Sequence, residues 1–227
     1  MSAESVTDDS RQLPRGRHGL TRGAVVAHQR RRLLRAVPAA ACAKGYLALT
    51  VEDICAEAGV SRRTFYENFR DKEDCFITAY RQCNDELIAV VTGAASVGGE
   101  WQERARFAIG ALLEFLASRP AVARMAVIEV MAAGPAAIAE RDRAVAMISS
   151  LIGEEGFSLV ADPAPPLLLR MIAGAALELI YGRVLAGRAA ELEQLQPMLM
   201  YLVLVALRGP SGAAVAAGLL PDRRISG

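Results

Sequence analysis

Apolar side chains recur every three or four residues along almost the whole chain. No segment shows the sustained alternation of apolar and polar residues that is typical of a half-buried strand. Glycine and proline interrupt the pattern, most clearly at Gly45, Gly59, Pro120 and the pair Gly134-Pro135. The sequence therefore predicts an all-α fold, with helices at about residues 21–44, 51–58, 62–69, 71–91, 100–118, 121–133, 135–154, 165–188 and 191–207.

Basic residues are concentrated near the N-terminus. Residues 10–51 carry nine arginine or lysine side chains and no aspartate or glutamate. Residues 1–81 have a net charge of +4, whereas residues 82–227 have a net charge of −3. A basic segment joined to a mildly acidic remainder is typical of a polyanion-binding domain attached to a neutral body.

The composition excludes several classes of protein. With 53% apolar and 22% charged residues, the chain is not a disordered polar polymer. Its longest apolar run, from Met198 to Leu207, is about half of what a spanning helix needs, and no apolar signal-peptide core begins the chain, so we expect a cytoplasmic protein without a membrane partner. Four cysteines without metal-ligand spacing and only two histidines, both in an arginine-rich stretch, argue against a metal site and a cofactor.

Two short helices joined by a tight turn carry the clearest motif. Thr50 can cap the helix that Gly59 ends, and Ser61 can cap the next one. A helix whose first turns present arginine and hydroxyl groups suits the major groove of DNA, where arginine reaches guanine edges with two hydrogen bonds. The second helix presents such groups at Arg62, Arg63, Thr64 and Tyr66.

The residues around this motif extend the pattern. Leu33-Leu34-x-Ala36 and Lys44-Gly45-Tyr46 precede it, and Thr64-Phe65-Tyr66-x-x-Phe69-x-Asp71-Lys72-Glu73 closes it. Over about residues 22–90 this series resembles the N-terminal domain of TetR-family transcriptional regulators. The resemblance implies a three-helix head with a helix-turn-helix at residues 50–69, followed by a helical body that binds a ligand and dimerises.

The resemblance also implies which residues contact DNA. Arg62, Arg63 and Thr64 are expected to face bases, and Lys72 to hold a phosphate at the start of the fourth helix. The remaining residues expected at the DNA are Tyr46, Thr50, Ser61, Tyr66 and Asn68; at Asn68 the family often has histidine or tyrosine.

The predicted organisation has four parts. Residues 1–20 form a flexible arm that contains arginine, and residues 21–70 form the DNA-binding domain. Residues 71–208 form the effector-binding and dimerisation domain, and residues 209–227 a C-terminal tail. The helices at about 165–188 and 191–207 are more apolar than one monomer easily buries, so we expect a homodimer formed through them, with two recognition helices one DNA turn apart on a palindromic operator.

The position of a ligand pocket is less constrained. Glu129 and Glu178 interrupt apolar faces, and a buried carboxylate either pairs with an arginine such as Arg124 or faces a cavity. Nearby aromatic and methionine side chains belong either to the core or to a pocket. The candidate pocket residues are Trp101, Phe107, Met125, Glu129, Glu178 and Tyr181.

Together these features favour a ligand-responsive DNA-binding transcriptional regulator. We expect a repressor that a small apolar or amphipathic effector releases from double-stranded DNA. The alternative is an effector-independent or architectural DNA-binding protein, with no discrete pocket and little sequence preference. An all-α enzyme is disfavoured because the sequence shows no nucleophile–base pair and no metal-ligand spacing.

Overall fold

A computed structural model describes residues 22–158 and 166–219 of the chain, and every regular element in these ranges is a helix. The prediction of an all-α fold is thus confirmed. The predicted arm at residues 1–20 lies outside the described residues. The helices are α1 (Arg22–Lys44), α2 (Val51–Ala58), α3 (Arg62–Tyr66), α4 (Lys72–Ala95), α5 (Trp101–Ala117), α6 (Pro120–Val127), α7 (Pro135–Ser158), α8 (Pro166–Leu185) and α9 (Gln196–Ala216), with short 3-10 helices at Glu129–Ala132 and Ala189–Leu195.

Two apolar cores organise these helices. The body core lies among α4, α5, α8 and α9, and it buries Leu113, Leu192 and Leu204 completely. The head core lies among α1, α2, α3 and the first turns of α4, around Leu33, Ile54 and Phe65. It also includes four residues from α6, the first 3-10 helix and the start of α7, namely Met125, Val130, Ala133 and Ala137. The head, residues 22–70, is therefore packed directly onto this part of the body.

The structure shortens or divides three of the expected helices. The third helix ends at Tyr66 and not at Phe69, because the Asn68 side-chain amide donates a hydrogen bond to the backbone carbonyl of Thr64 and the chain turns there. The segment 121–133 is not one helix, since α6 ends at Val127 and a 3-10 turn follows. The segment 191–207 likewise divides into a 3-10 helix and α9.

The C-terminal tail expected at 209–227 is wrong over residues 209–216. Helix α9 continues through this stretch to Ala216. The buried alanines Ala213 and Ala217 belong to the body core, and alanine has the highest intrinsic helix propensity. Packing and propensity together extend the helix beyond Gly209, into the glycine- and alanine-rich segment that was expected to form the tail.

Helix α8 is apolar on every side, and the monomer covers only part of it. Its buried positions, Ile180 and Val184, face the body core. The opposite side exposes apolar and small residues at spacings of three or four, namely Leu167, Met171, Gly174, Ala175, Gly182 and Leu185. None of the helices that the structure describes has the length and apolarity needed to cross a membrane.

Candidate nucleic-acid interface

Helix α2 begins at a complete capping box. The Thr50 hydroxyl accepts a hydrogen bond from the Asp53 backbone N–H, and the Asp53 carboxylate accepts one from the Thr50 N–H at 3.0 Å. The same carboxylate lies 2.6 Å from the ammonium group of Lys44, at the end of α1. These contacts satisfy the first free N–H groups of α2 and fix it against α1.

This environment acts on the acidity of Asp53. Its hydrogen bond with Lys44, followed by those with Thr50, lowers the pKa of the carboxyl to about 2. A lowered pKa in the folded state means that the contribution of Asp53 to stability is complete above its ordinary pKa and is lost as the pH falls towards 2. We expect a carboxyl-carbon NMR titration to give a midpoint near 2 for Asp53. In Lys44→Ala the midpoint should rise, and a wild-type midpoint near 4, the ordinary value of an aspartate, would contradict the contact.

The turn between α2 and α3 depends on Gly59. Its φ of 61° lies in the left-handed region, which side chains other than glycine rarely adopt. The Arg32 guanidinium from α1 donates a hydrogen bond to the Gly59 carbonyl at 3.0 Å, and a Cβ atom at Gly59 would lie only 2.6 Å from the Arg32 Nη2. The turn therefore needs glycine for its backbone conformation, and a side chain at this position would also displace the Arg32 guanidinium from the Gly59 carbonyl.

Two arginines project from the first turn of α3 into solvent. The side chains of Arg62 and Arg63 are 60% and 89% exposed. Each makes a surface ion pair: Arg62 Nη1 lies 2.6 Å from Glu52, and Arg63 Nε lies 3.0 Å from Glu67. Such exposed pairs contribute little to stability, so both guanidinium groups are available to an anionic partner.

The hydroxyl groups expected at the DNA are engaged in helix caps. Ser61 caps α3 by accepting a hydrogen bond from the Thr64 backbone N–H, and the two hydroxyl oxygens lie 3.0 Å apart. Tyr66 is half exposed, with its ring edge-on to the buried Phe65. Asn68 is partly buried. Its side-chain amide donates a hydrogen bond to the Thr64 backbone carbonyl, and its own backbone carbonyl accepts one from the Arg30 guanidinium at 2.8 Å.

Tyr46 and Lys72 are held against each other. The Tyr46 ring is buried edge-on against Phe76, and the Lys72 ammonium lies 4.3 Å from its centroid. The same ammonium donates to the Tyr46 backbone carbonyl at 2.9 Å. The structure thus places Tyr46 in the head core, with both its ring and its backbone carbonyl next to the Lys72 ammonium, the group expected to hold a phosphate.

Glu129 connects this region to the body. The Tyr46 backbone N–H donates to Glu129 Oε2 at 2.7 Å, across 83 residues of sequence. Arg124 Nε donates to the other carboxylate oxygen at 2.8 Å. Glu129 is only 4% exposed, and both its oxygens have partners, as a buried carboxylate requires. It lies at the junction of head and body, outside the lining of the apolar cavity that the body forms.

The body encloses an apolar cavity of about 140 Å³. Its walls come from α4, α5, α6, α7, α8 and α9, and 18 of its 22 lining residues are aliphatic. The four polar ones are Tyr80, Asn84, Arg141 and Ser149. Burial raises the pKa of Tyr80 to about 12, while the Asn84 side chain and the charge of Arg141 act in the opposite direction. The Tyr80 hydroxyl therefore keeps its proton at neutral pH.

None of the six candidate pocket residues lines this cavity. Met125 is buried in the head core, and Glu129 joins head to body. Glu178 lies on the exposed side of α8, and Phe107 is partly exposed beside a shallow surface groove. The other two are partly buried against the body core: Trp101, which donates to the Ile152 carbonyl, and Tyr181. The aliphatic residues of a core and of a pocket are the same types, so they do not separate the two in the sequence; a charged residue such as Arg141 on an otherwise apolar helix face is the signal that was missed.

Comparison with known proteins agrees with this geometry. Residues 40–79, which contain α2, α3 and the turn between them, match the family model for bacterial regulatory proteins of the tetR family. No curated protein matches the chain.

Three solved structures are similar over most of the chain. The transcriptional regulator FadR from Bacillus subtilis, in complex with stearoyl-CoA, is 19% identical, covers 76% of this chain and 97% of its own, and has a TM-score of 0.67. The fatty acid degradation regulator FadR from Bacillus halodurans is 20% identical over 79% and 96%, with a TM-score of 0.69. The TetR-family regulator PfmR from Thermus thermophilus is 18% identical over 76% and 94%, with a TM-score of 0.59. At these identities the likeness concerns the fold. The match thus shows a segment of the tetR type at residues 40–79, and the solved structures show that the chain shares their all-α fold.

Proposed function

We propose that this protein is a cytoplasmic, ligand-responsive transcriptional repressor. It binds a palindromic operator as a homodimer, and a small apolar or amphipathic effector in the body cavity releases it. The observation that carries this proposal is the position of α6, whose residues line the cavity at one point and contact the head at another.

The route from the cavity to the head is short. Ala126 and Val127 at the end of α6 line the cavity, and Glu129 follows two residues later. Glu129 accepts the hydrogen bond from the Tyr46 N–H, and the Tyr46 carbonyl holds Lys72. A ligand that favours another position of α6 therefore also favours another position of the head. It lowers DNA affinity by as much as its own affinity differs between the two states.

In the proposed complex the exposed end of α3 enters the major groove. Arg62 and Arg63 exchange their surface carboxylates for base edges, and Tyr66 lies next to the phosphate backbone. Lys72 has three N–H groups, so it can contact a phosphate while it remains on Tyr46. Thr50, Ser61, Thr64 and Asn68 act mainly by fixing α2 and α3, since their side chains already form caps and turns.

The exposed face of α8 supports the homodimer. Leu167, Met171 and Leu185 form an apolar stripe, and nothing lies within 4 Å of the Cβ positions at Gly174 and Gly182. Small residues between large apolar ones let a second helix approach closely, and a face that contacts its own copy gives an isologous dimer. Glu178 and Arg170 lie on the same exposed side, so an ion pair between protomers is compatible with this interface.

The solved structures support an amphipathic effector in a body of this fold. FadR from Bacillus subtilis was solved in complex with stearoyl-CoA, which joins a long apolar chain to a polar, charged group. The cavity of this chain has a corresponding division into an apolar wall and a small polar part.

The proposal is tested by binding of the full chain to the DNA upstream of its own gene. Affinity is measured against a scrambled duplex of equal length at two salt concentrations. We expect the upstream DNA to bind at least about 10³-fold more tightly, with two chains per site, and affinity to fall steeply with salt. Equal and weak binding to both duplexes would overturn the proposal and favour an architectural DNA-binding protein.

A further inference from the structure

The charge of the body cavity comes from one side chain. Among the described residues that line it, Arg141 is the only charged one. Its ion-pair partner, Asp142, lies outside the lining, with a side chain that is 63% exposed. The neighbouring carboxylate, Glu140, also lies outside the lining and is shared between Arg81 and Arg143. An arginine at the edge of an apolar cavity, with its carboxylate partner on the solvent side, favours an anion over a neutral or cationic guest, because the low dielectric constant strengthens the attraction.

The hydrogen bonds of Arg141 are also incomplete. Its Nη1 donates to Asp142 at 2.8 Å, on the solvent side. Its Nε is buried and has no hydrogen-bond partner among the residues that the structure describes. An unpaired buried N–H group is costly, and an acceptor that reaches it from the cavity removes that cost.

Two further polar groups lie beside Arg141. Tyr80 and Asn84 are one helical turn apart on α4, and both line the cavity. The Tyr80 hydroxyl donates to the Ala126 carbonyl over a long 3.3 Å, so a charged acceptor offers it a stronger bond. These three side chains form the polar group of the cavity, in which each member has an N–H or O–H to donate.

The remaining lining sets the size and shape of the guest. It is almost entirely aliphatic, with residues such as Leu112, Ile148 and Leu177. An apolar cavity of about 150 Å³ accommodates a guest of roughly six carbon atoms. The cavity of about 140 Å³ therefore suits a short apolar chain.

We propose that this cavity binds a small amphipathic carboxylate, with its apolar chain among the aliphatic side chains and its carboxylate on Arg141, Tyr80 and Asn84. That the cavity binds such a carboxylate does not depend on the proposed function. That this carboxylate is the effector rests on it. A neutral head group of the same size, such as an alcohol, leaves the Arg141 Nε without a charged partner. A coenzyme A thioester has no charge at the end of its acyl chain, since its negative charges lie on phosphates far from the acyl carbonyl.

The test uses the full-length protein and isothermal titration calorimetry with three probes, namely hexanoate, hexan-1-ol and hexanoyl-CoA. Two variants accompany the wild type. Arg141→Gln removes the charge at the cavity, and Arg143→Gln removes an exposed charge from the same helix without touching the lining. Thermal unfolding of each variant verifies that it is folded.

We expect hexanoate to bind the wild type at least tenfold more tightly than hexan-1-ol. Arg141→Gln should weaken hexanoate at least tenfold and leave hexan-1-ol within about twofold, while Arg143→Gln changes neither. Equal binding of hexanoate and hexan-1-ol, equal losses of both in Arg141→Gln, or no binding of either would overturn the proposal. Tight binding of hexanoyl-CoA alone, independent of Arg141, would overturn it in favour of a thioester.

Adding hexanoate to the operator complex separates this inference from the proposed function. If hexanoate binds through Arg141 but leaves the complex intact, the carboxylate site stands, and its role as the effector site fails. If hexanoate releases wild-type protein but not Arg141→Gln from DNA, both stand.

Discussion

Replacing Arg62 and Arg63 together with alanine is expected to lower affinity for the operator by about 10²- to 10⁴-fold, the loss typical of two base-reading arginines. Both side chains are largely exposed and form surface ion pairs with Glu52 and Glu67, and Arg62 also forms a hydrogen bond with the half-exposed Tyr66. The substitution should therefore leave the thermal unfolding temperature nearly unchanged. Fluorescence anisotropy with labelled operator, at several salt concentrations, measures the change.

A charge-matched control separates base contacts from general attraction. Arg143→Ala combined with Arg188→Ala also removes two exposed, ion-paired arginines, but from the body. We expect this control to keep operator affinity within a few-fold of the wild type. Equal losses in the two double variants would show that net charge, and not the end of α3, determines binding.

Glu129→Ala is expected to lower the free energy of unfolding by about 3 kcal/mol, at the lower end of the range for a broken buried ion pair. The substitution leaves the Tyr46 N–H and the Arg124 guanidinium without their acceptor in a region that is almost closed to water. The Arg124 side chain is 33% exposed, so water recovers part of its solvation, which places the loss at the lower end. Chemical denaturation measures this loss.

Two further variants define what Glu129 does. Glu129→Gln keeps an acceptor for the Tyr46 N–H but not the charge, so its loss of stability should be intermediate. Glu67→Ala breaks an exposed ion pair with Arg63 and should have no measurable effect on stability. If Glu129→Ala is as stable as the wild type, the contact between head and body does not hold the two together. Under the proposed function, Glu129→Ala also responds less to the effector, since cavity and head are no longer joined there.

The local part of this architecture was predictable from the sequence. The limits of α2 follow from Thr50 and Gly59, because a cap and a left-handed glycine act within a few residues of the helix they delimit. The end of α3 was placed three residues too late. There the deciding contact is the hydrogen bond of the Asn68 side chain to Thr64, which competes with helix continuation and is not encoded in apolar spacing.

The long-range part was not predictable in the same way. The partner of Glu129 in the head, the Tyr46 backbone N–H, lies 83 residues away in the sequence. Since every residue except proline has a backbone N–H, the residue type at this position does not indicate the contact. The cavity lining consists of leucine, isoleucine, valine and alanine, which are equally at home in a filled core. Only Arg141 carried a usable signal, as a charged residue on a helix face that also holds Val145, Ile148 and Ile152.

The core shared by head and body has a consequence for exchanging specificity between regulators. Met125, Val130, Ala133 and Ala137 belong to the body by sequence but fill the head core. A chimera joined at residue 70 would combine the head of one regulator with the body of another. Its head core would then contain side chains from both proteins, and side chains whose volumes do not match lower the stability of the fold. Arg62 and Arg63 do not belong to that core, since both are exposed and interact only with Glu52, Glu67 and Tyr66 at the surface among the described residues. New operator preferences are thus better grafted residue by residue onto α3 than transplanted as a whole domain.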